Sequence, residues 1–400
     1  MAELTGTFVW GDENMQRLWT KEFVSLTAAM VFLGTGFYML LPTLPMYIQE
    51  LGGSEAQVGL VAGIFTLTAV VFRLIVGGLL DRYGRRIFLL LGLLVFAVCV
   101  YLYNWVGGIA VLLALRMVHG ASWAVCTTSI GTTVTDVIPE SRRGEGMGWF
   151  GMSMTIAMAL GPMLGTRVMQ SQSFHDVFLI AAALSAFALA MAFATRVPFQ
   201  SGAGARRVDF VEKPLIPLML ALLLLTVSYG GITAFIPLWS ETISVNPGLY
   251  FLVFAIMITA VRPVAGKMAD RYGEAAVILP SLAVVTVALI ILCLFQDIFG
   301  IVASAVLYGI GFGAAQPAFQ AMALRLARPD RKGVANASVF TAFDLGISVG
   351  SIALGWIFPY TGYPGMFAVS ALAVAGSLVL FGVFARKRMK QRQPEEPSVS

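Results

Sequence analysis

The sequence predicts an all-α polytopic membrane protein with twelve transmembrane helices in two pseudo-symmetric six-helix bundles. Three observations support this fold class: the composition is too apolar for a soluble chain, the hydropathy divides into twelve apolar blocks, and the two halves of the sequence repeat each other. The composition indicates that lipid surrounds part of the chain, the apolar blocks predict the helices, and the repeat predicts how the helices are arranged.

Of the 400 residues, 58% are hydrophobic and 12% are charged, and the mean hydropathy is +0.85. A soluble domain carries about 25% charged residues, because its surface must be wetted. The chain cannot cover a globular surface with charge, which excludes disordered, collagen-like and nucleic-acid-binding proteins. Its three cysteines, Cys99, Cys126 and Cys293, lie in apolar runs, so the sequence predicts no disulfide framework and no metal site.

Twelve apolar blocks follow a polar N-terminal segment, and a helix needs about 20 residues to cross a bilayer. The first 22 residues contain no apolar stretch typical of a cleavable signal, so we expect the first block to be retained. The predicted spans are 23–49, 56–80, 87–106, 108–135, 146–168, 175–195, 215–240, 246–269, 275–296, 298–324, 334–359 and 365–385. The predicted organisation is a cytoplasmic segment 1–22, a bundle 23–195, a cytoplasmic linker 196–214, a bundle 215–386 and a cytoplasmic tail 387–400.

The basic residues indicate the orientation of these spans. When alternate loops are assigned to opposite sides, 22 of the 26 lysine and arginine residues lie on the side of both termini. Arg167 alone lies on the other side, and Arg73, Arg116 and Arg262 lie within spans. Because positive charge marks cytoplasmic loops, we expect both termini in the cytoplasm and attribute the net charge of +5 to topology.

The two halves repeat at an offset of 189 residues. Residues 73–84 read RLIVGGLLDRYG and residues 262–273 read RPVAGKMADRYG. The same offset places Gly120 on Gly309, so the register extends beyond one loop. The repeated residues of the second half are Arg262, Gly266, Asp270, Arg271 and Gly273. Six-span halves of equal topology imply a parallel repeat about an axis along the membrane normal.

These stretches resemble the major facilitator superfamily of secondary transporters, and specifically its twelve-span drug:proton antiporter branch. The loop after span 2, with GGLLDRYGRR at 77–86, fits the first motif of the family. In span 4, Leu112, Arg116 and Gly120 fit the second motif, with His119 in place of the usual glutamine. In span 5, the antiporter motif is matched by Gly148, Gly161, Pro162 and Gly165, with Ala157 and Thr166 replacing two glycines.

The resemblance implies a latch on the cytoplasmic side. In the family, the residue equivalent to Asp81 caps a helix of the other half and pairs with nearby arginine. We expect Asp81, Arg85 and Asp136 to hold the outward-open state, and ordinary topology signalling is the alternative for Arg85. The residues assigned to the latch are Gly77, Asp81, Arg82, Gly84, Arg85 and Asp136.

Small residues in span 5 form a strip along one helix face. Gly148, Ala157, Gly161 and Gly165 recur at intervals of 9, 4 and 4 residues, which permits close approach of a neighbouring helix. The resemblance implies that this neighbour is span 8. We expect a bend and a sliding surface, with direct substrate contact as the alternative.

Ionisable residues within spans are rare, so each is a candidate functional residue. Asp344 lies about 11 residues into span 11, and Arg73 lies 8 residues before Asp81 in span 2. Spans 2 and 11 face each other in the family, which predicts an ion pair between Arg73 and Asp344. The pair is either a structural clasp or a site of proton coupling, at which the acid takes up a proton after losing its partner.

Arg116 and His119 are three residues apart and share one face of span 4. The resemblance places this face at the central cavity, and His119 is either a second proton site or a hydrogen-bonded packing residue. Span 1 lacks the acidic residue that many exporters of this branch carry beside this arginine, which favours a neutral or anionic substrate. The other predicted cavity residues are Tyr38, Trp123, Tyr229, Trp239, Tyr308, Phe312 and Gln316, and packing is the alternative for each aromatic one.

The leading interpretation is proton-coupled export of a small amphipathic molecule or drug by alternating access. Metabolite uptake, facilitated diffusion and flipping of a lipid-like substrate are the alternatives. Motifs of metalloproteases, nucleophile elbows and phosphate-binding loops do not occur, which disfavours an intramembrane enzyme or receptor. We expect a monomer in the inner membrane of a bacterium, with a small-molecule substrate, protons and lipid as partners, no nucleic acid, and no cofactor beyond the proton gradient.

Overall fold

The computed structural model describes residues 17–139, 142–171, 173–195, 215–327 and 332–392, and these ranges contain helices and no strand. The long helices are α1 (Lys21–Glu50), α2 (Glu55–Tyr83), α3 (Arg85–Leu102), α4 (Ile109–Val137), α5 (Arg143–Ser171), α6 (Phe174–Phe193), α7 (Ile216–Thr242), α8 (Pro247–Tyr272), α9 (Glu274–Leu294), α10 (Ile298–Leu326) and α11 (Lys332–Arg392). A short 3-10 helix, Tyr103–Trp105, joins α3 to α4. The predicted linker 196–214 lies outside the described residues, as do 1–16 and 393–400.

The last element, α11, consists of two helices that meet at Gly362. This residue has φ 62° and ψ −173°, a conformation that residues with a Cβ atom rarely adopt. The apolar part of α11, Ser338–Arg386, contains 49 residues. A single helix of that length would measure about 74 Å, more than twice the thickness of a bilayer core. The break gives two spans, so the predicted twelve-span fold is confirmed as ten single helices and the two parts of α11.

Two equivalent glycines end helices on the terminal face, which we define as the membrane face where α1 begins and α11 ends. Gly84 follows α2 with φ 85°, and Gly273 follows α8 with φ 84°. A positive φ is unfavourable for residues with a Cβ atom, which explains the glycine that closes both copies of the Asp-Arg-Tyr-Gly repeat. The chain reverses there, because α3 begins at Arg85 and α9 at Glu274.

Each half of the chain has its own hydrophobic core. Buried residues of α1 to α6 form one cluster, and buried residues of α7 to α11 form the other. The first cluster also includes Phe235 and Leu238 of α7 and Leu354 of α11. These three residues lie toward the ends of their spans that are remote from the terminal face. The two cores are therefore joined on that side, which we call the far face.

The halves meet through α1 with α7, α2 with α11, and α5 with α8. At the α2–α11 interface, the Ser348 hydroxyl donates to the Gly63 carbonyl at 2.9 Å. A Cβ atom on Gly59 would meet the backbone of Ser351, so the two helices pack backbone to backbone in this region. These contacts lie in the part of α2 nearer the far face.

The interface between α5 and α8 changes along its length. Near the far face, the Asn246 amide nitrogen donates to the Gln170 side-chain oxygen at 3.3 Å. Nearer the terminal face, Gly151 of α5 and Gly266 of α8 are exposed, and a Cβ atom on either would have no neighbour within 4 Å. The two halves are thus in contact toward the far face and separated toward the terminal face.

Candidate transport site between the two halves

An ion pair joins the halves at the α2–α11 interface. The Nη1 atom of Arg73 lies 2.6 Å from the Oδ2 atom of Asp344, and their side chains are 25% and 14% exposed. The guanidinium carbon of Arg73 also lies 5.8 Å from the centroid of the Phe340 ring, within the range of a cation–π contact. The expected contact between Arg73 and Asp344 is present in the structure, and its role in coupling stays a prediction.

A second polar contact joins α8 to α5. The Nη1 atom of Arg262 donates to the Thr155 hydroxyl at 2.9 Å, while its Nε atom is buried without a hydrogen-bond partner in the described part of the chain. Among the described residues, no carboxylate forms an ion pair with Arg262. The sequence identifies Arg262 both as an ionisable candidate residue within a span and as part of the repeated first motif, and the structure places it between the halves.

The two contacts are related by the internal repeat. The offset of 189 places Arg73 on Arg262 and Thr155 on Asp344. Each arginine lies 10 residues before the end of its helix, and each partner lies 12 residues after the start of its own. Both contacts therefore lie about 15–18 Å along their helices from the terminal face. They differ in the acceptor, which is a carboxylate in one and a hydroxyl in the other.

Tyr38 of α1 lies within range of the charges of both contacts. Its side chain is 8% exposed, and the charges of Arg262 and Asp344 reach its hydroxyl. Arg73, Asp344, Arg262, Thr155 and Tyr38 form a group of polar side chains between the halves, which we call the central cluster. Tyr38 is the only predicted cavity residue in this cluster. Thr155 was missed, although the repeat offset from Asp344 could have predicted it.

Arg116 and His119 lie inside the N-terminal half. Arg116 is 5% exposed, its Nε atom donates to the Val61 carbonyl at 3.3 Å, and its guanidinium carbon lies 4.1 Å from the Phe65 ring centroid. His119 is fully buried, with its Nδ1 atom 2.6 Å from the Tyr103 hydroxyl. In this structure their shared face is turned toward α2 and the 3-10 helix, and their contact with a cavity between the halves stays a prediction.

Two of the predicted cavity aromatics stack on other aromatic side chains of their own half. Trp123 stacks on Phe37 with ring centroids 4.3 Å apart, and Tyr229 stacks on Phe312 at 4.7 Å. Both Trp123 and Tyr229 are 8% exposed. These contacts fit the packing alternative, and contact with a substrate stays a prediction.

Tyr308 corresponds to His119 at the repeat offset and has a similar environment. It is fully buried and its hydroxyl lies 2.8 Å from the Ser228 hydroxyl within the C-terminal half. Gln316, eight residues further along α10, is partly exposed. Of these two residues, Gln316 is the one whose side chain is accessible.

The small-residue strip of α5 packs against α1. A Cβ atom on Gly165 would lie 2.5 Å from the Met39 carbonyl oxygen, and one on Gly161 would meet Tyr38. Gly148 is exposed and would have no such neighbour within 4 Å. The prediction that span 8 is the partner of this strip is therefore wrong.

A different face of α5 contacts α8. A Cβ atom on Gly248 would lie 2.5 Å from the Thr166 hydroxyl oxygen, and Thr155 receives the hydrogen bond from Arg262. Thr166 replaces a motif glycine, so this departure from the motif lies at the contact between the halves. Pro162 lies inside α5, between these contacts.

On the terminal face, each half contains an ion pair at an equivalent position. Arg85 pairs with Asp136 and joins the start of α3 to the end of α4. Glu274 pairs with Arg325 and joins the start of α9 to the end of α10. The offset of 189 relates Arg85 to Glu274 and Asp136 to Arg325, so the signs of charge are reversed between the halves. This correspondence could also have been predicted from the repeat.

The predicted latch is described only in part. Arg85 and Asp136 are in contact, whereas Gly77, Asp81 and Arg82 are not among the residues whose side chains are described. The bridging role of Asp81 therefore stays a prediction. In the second copy of the motif, Asp270 and Arg271 are exposed, and Arg271 stacks over Tyr272 with 5.2 Å between its guanidinium carbon and the ring centroid.

The repeated helical halves and the charged contacts between them define a multi-pass membrane transporter. The sequence profile of the Major Facilitator Superfamily matches residues 26–261 and 245–400. The chain belongs to this superfamily, and it is a transporter and not an enzyme.

Known relatives and structures extend over most of the chain. Multidrug resistance protein 1 of Bacillus subtilis is 26% identical, over 90% of this chain and 96% of the relative. Staphylopine export protein of Staphylococcus aureus is 23% identical, over 84% of this chain and 89% of the relative. The solved structure of a bacterial homologue of the human lysosomal transporter Spinster, inward-facing and unoccupied, is 14% identical with a TM-score of 0.78 and covers 95% of this chain and 99% of its own. That likeness shows the fold.

Proposed function

We propose that the protein is a proton-coupled exporter of a small amphipathic molecule, working by alternating access. The observation that carries this proposal is the 2.6 Å ion pair between Arg73 and Asp344, because its partners belong to opposite halves. When the halves separate there, Asp344 loses its partner inside the membrane, where an unpaired carboxylate is costly. Proton uptake removes that cost, so proton binding is coupled to the change of conformation.

The direction of transport is supported by the relatives. They include proteins named for multidrug resistance and for staphylopine export, and Gly161 and Pro162 match the antiporter motif.

The proposed location is the inner membrane of a bacterial cell, with both termini in the cytoplasm. The support is the 22 of 26 basic residues assigned to the terminal side. In that orientation, the gap between Gly151 and Gly266 opens to the cytoplasm, which is the conformation that loads an exported substrate. The protein would act as a monomer without a bound cofactor and would draw its energy from the proton gradient.

Transport into proteoliposomes with an imposed pH gradient tests this proposal. Labelled cationic, neutral and anionic amphipaths are offered to vesicles that hold the protein with its terminal face outward and are acidic inside. We expect about tenfold accumulation of a transported compound for one pH unit and one proton. Asp344→Asn should lose this accumulation but still exchange labelled for unlabelled substrate.

Two matched variants control for the loss of an acid. Asp344→Glu keeps a carboxylate in the central cluster, and Asp176→Asn removes a partly exposed acid from the first turn of α6; both should accumulate substrate. Accumulation that ignores the gradient would indicate a facilitator, and accumulation under the opposite gradient would indicate uptake. Transfer of a labelled lysophospholipid alone would indicate a flippase. An unaffected Asp344→Asn would leave the ion pair as a structural clasp.

A further inference from the structure

The central cluster carries more positive than negative charge. Asp344 neutralises Arg73, whereas the acceptor for Arg262 is the uncharged hydroxyl of Thr155. In the part of the chain that the structure describes, Arg262 forms no ion pair. A cation at this depth is retained at a cost and is usually paired with an acid, a carbonyl group or water. Within the described part of the chain, no acid therefore compensates the charge of Arg262.

Arg262 also has donors that the described residues do not use. A guanidinium group has five N–H donors in a planar fork, and one of its nitrogens bonds to Thr155. The Nε atom is buried and has no hydrogen-bond partner among the described residues. Tyr38, which belongs to the other half, lies within range of the charge of Arg262.

We propose that Arg262, Thr155 and Tyr38 bind the anionic group of the transported molecule, a carboxylate or a similar oxyanion. This inference rests on the proposed function, since it names the substrate class of that exporter. Arg262 belongs to the C-terminal half, and Thr155 and Tyr38 belong to the N-terminal half, so a bound anion contacts both. The ligand supplies the negative charge that Asp344 supplies at the equivalent position.

The contact between Arg73 and Asp344 argues against a purely structural role for the equivalent contact between Arg262 and Thr155. Where the protein closes the contact by itself, it places a carboxylate opposite the arginine, at Asp344. The hydroxyl of Thr155 leaves most of the guanidinium fork free, and arginine binds carboxylate and phosphate groups through two parallel hydrogen bonds. The difference between the two contacts thus favours an external anion at Arg262.

Binding of matched probes to the full-length protein in detergent tests the site. The probes are labelled naphthalene and dodecyl compounds, each prepared as a carboxylate, a carboxamide and a trimethylammonium derivative. Charge therefore changes while the apolar part stays constant. We expect at least one carboxylate to bind about tenfold more tightly than its carboxamide, as charge-assisted hydrogen bonds allow. Equilibrium binding is measured by scintillation proximity, without a proton gradient.

Two variants remove the site in different ways. Arg262→Gln removes the cation, and Thr155→Asp gives it a partner within the protein; both should reduce carboxylate affinity to that of the carboxamide. Thr155→Asn has nearly the size of the aspartate variant without its charge, so its loss should be smaller. Lys267→Gln removes an exposed positive charge from the same helix and should keep the preference for the carboxylate.

The proposal is overturned if no carboxylate in the panel binds wild-type protein more tightly than Arg262→Gln. It is also overturned if Thr155→Asp binds carboxylates as the wild type does. Thr155→Asp retains Arg262, so poor folding of Arg262→Gln does not remove the test. Because binding needs no gradient, a failure of proton coupling and a failure of anion recognition give different results.

Discussion

Arg116 is held by contacts that depend on the shape of the guanidinium group. Its planar end stacks on Phe65 and its Nε atom donates to the Val61 carbonyl. Arg116→Lys keeps the charge but loses both contacts, so we expect a loss of about 1–2 kcal/mol in stability. The measurement is the melting temperature in detergent, with substrate affinity unchanged. Lower substrate affinity at an unchanged melting temperature would indicate that Arg116 contacts the substrate.

The sequence predicted some residue contacts and not others for physical reasons. Arg73 and Asp344 could be paired because a membrane interior holds few ionisable residues that each need a partner, and because the family resemblance sets spans 2 and 11 opposite each other. The packing partners of Arg116 and His119 could not be predicted, because a spacing of three defines a shared helix face without identifying the helix opposite. Thr155 was missed because a threonine in a span has no special signal until the repeat aligns it with Asp344.

At the scale of elements, the ion pairs on the terminal face tie α3 to α4 and α9 to α10. Glu274→Lys sets two positive charges against each other at the second tie, and we expect a loss of about 1 kcal/mol, because Arg325 is largely exposed. The double variant Glu274→Arg with Arg325→Asp reproduces the charges of Arg85 and Asp136 and should recover the wild-type melting temperature. If the double variant stays as unstable as the single one, the tie is not electrostatic.

The glycines of α5 give an element-scale prediction with an internal control. Gly165→Ala places a methyl group against the Met39 carbonyl, so we expect a loss of about 1–3 kcal/mol from overpacking. Gly151→Ala adds the same group where nothing lies within 4 Å and should not lower the melting temperature. If both substitutions raise the melting temperature equally, helix propensity alone accounts for their effects, and the methyl group at 165 does not clash with α1.

The interhelical partner of this glycine strip could not be predicted from the sequence. A row of small residues shows that some helix approaches closely, and α1 and α8 both lie beside α5. The choice depends on how α5 is rotated about its axis. Thr166, which departs from the antiporter motif, lies against Gly248 of α8, a contact that only the structure reveals.

At the scale of the whole molecule, the interface is closed at one face and open at the other. In a background without the native cysteines, Gln170→Cys with Asn246→Cys should be joined by a short bis-maleimide in this conformation. Gly151→Cys with Gly266→Cys should be joined only after the halves rock to the alternate state. Because each pair joins α5 to α8, we expect the two yields to change in opposite directions when a transported compound is added. Yields that rise or fall together would contradict rocking of the halves.

The number of spans was predictable at this scale because bilayer thickness fixes how many apolar residues each crossing needs. The separation of the last two spans also followed from the break between 359 and 365. The form of this break did not follow from the sequence. Pro359 and Pro364 lie within helical segments, and the non-helical backbone is at Gly362. The sequence could not predict which face is open, because the same residues must stabilise both the inward-facing and the outward-facing conformation.

The single carboxylate among the two symmetry-related contacts has an electrical consequence. Under the two proposals, one proton enters at Asp344 while one anion leaves from Arg262, so each turnover moves two elementary charges inward. A membrane potential of 100 mV, negative inside, would then contribute about 4.6 kcal/mol per cycle. Such an exchanger would run on voltage even where the two sides of the membrane have the same pH, and its turnover would register as an electric current.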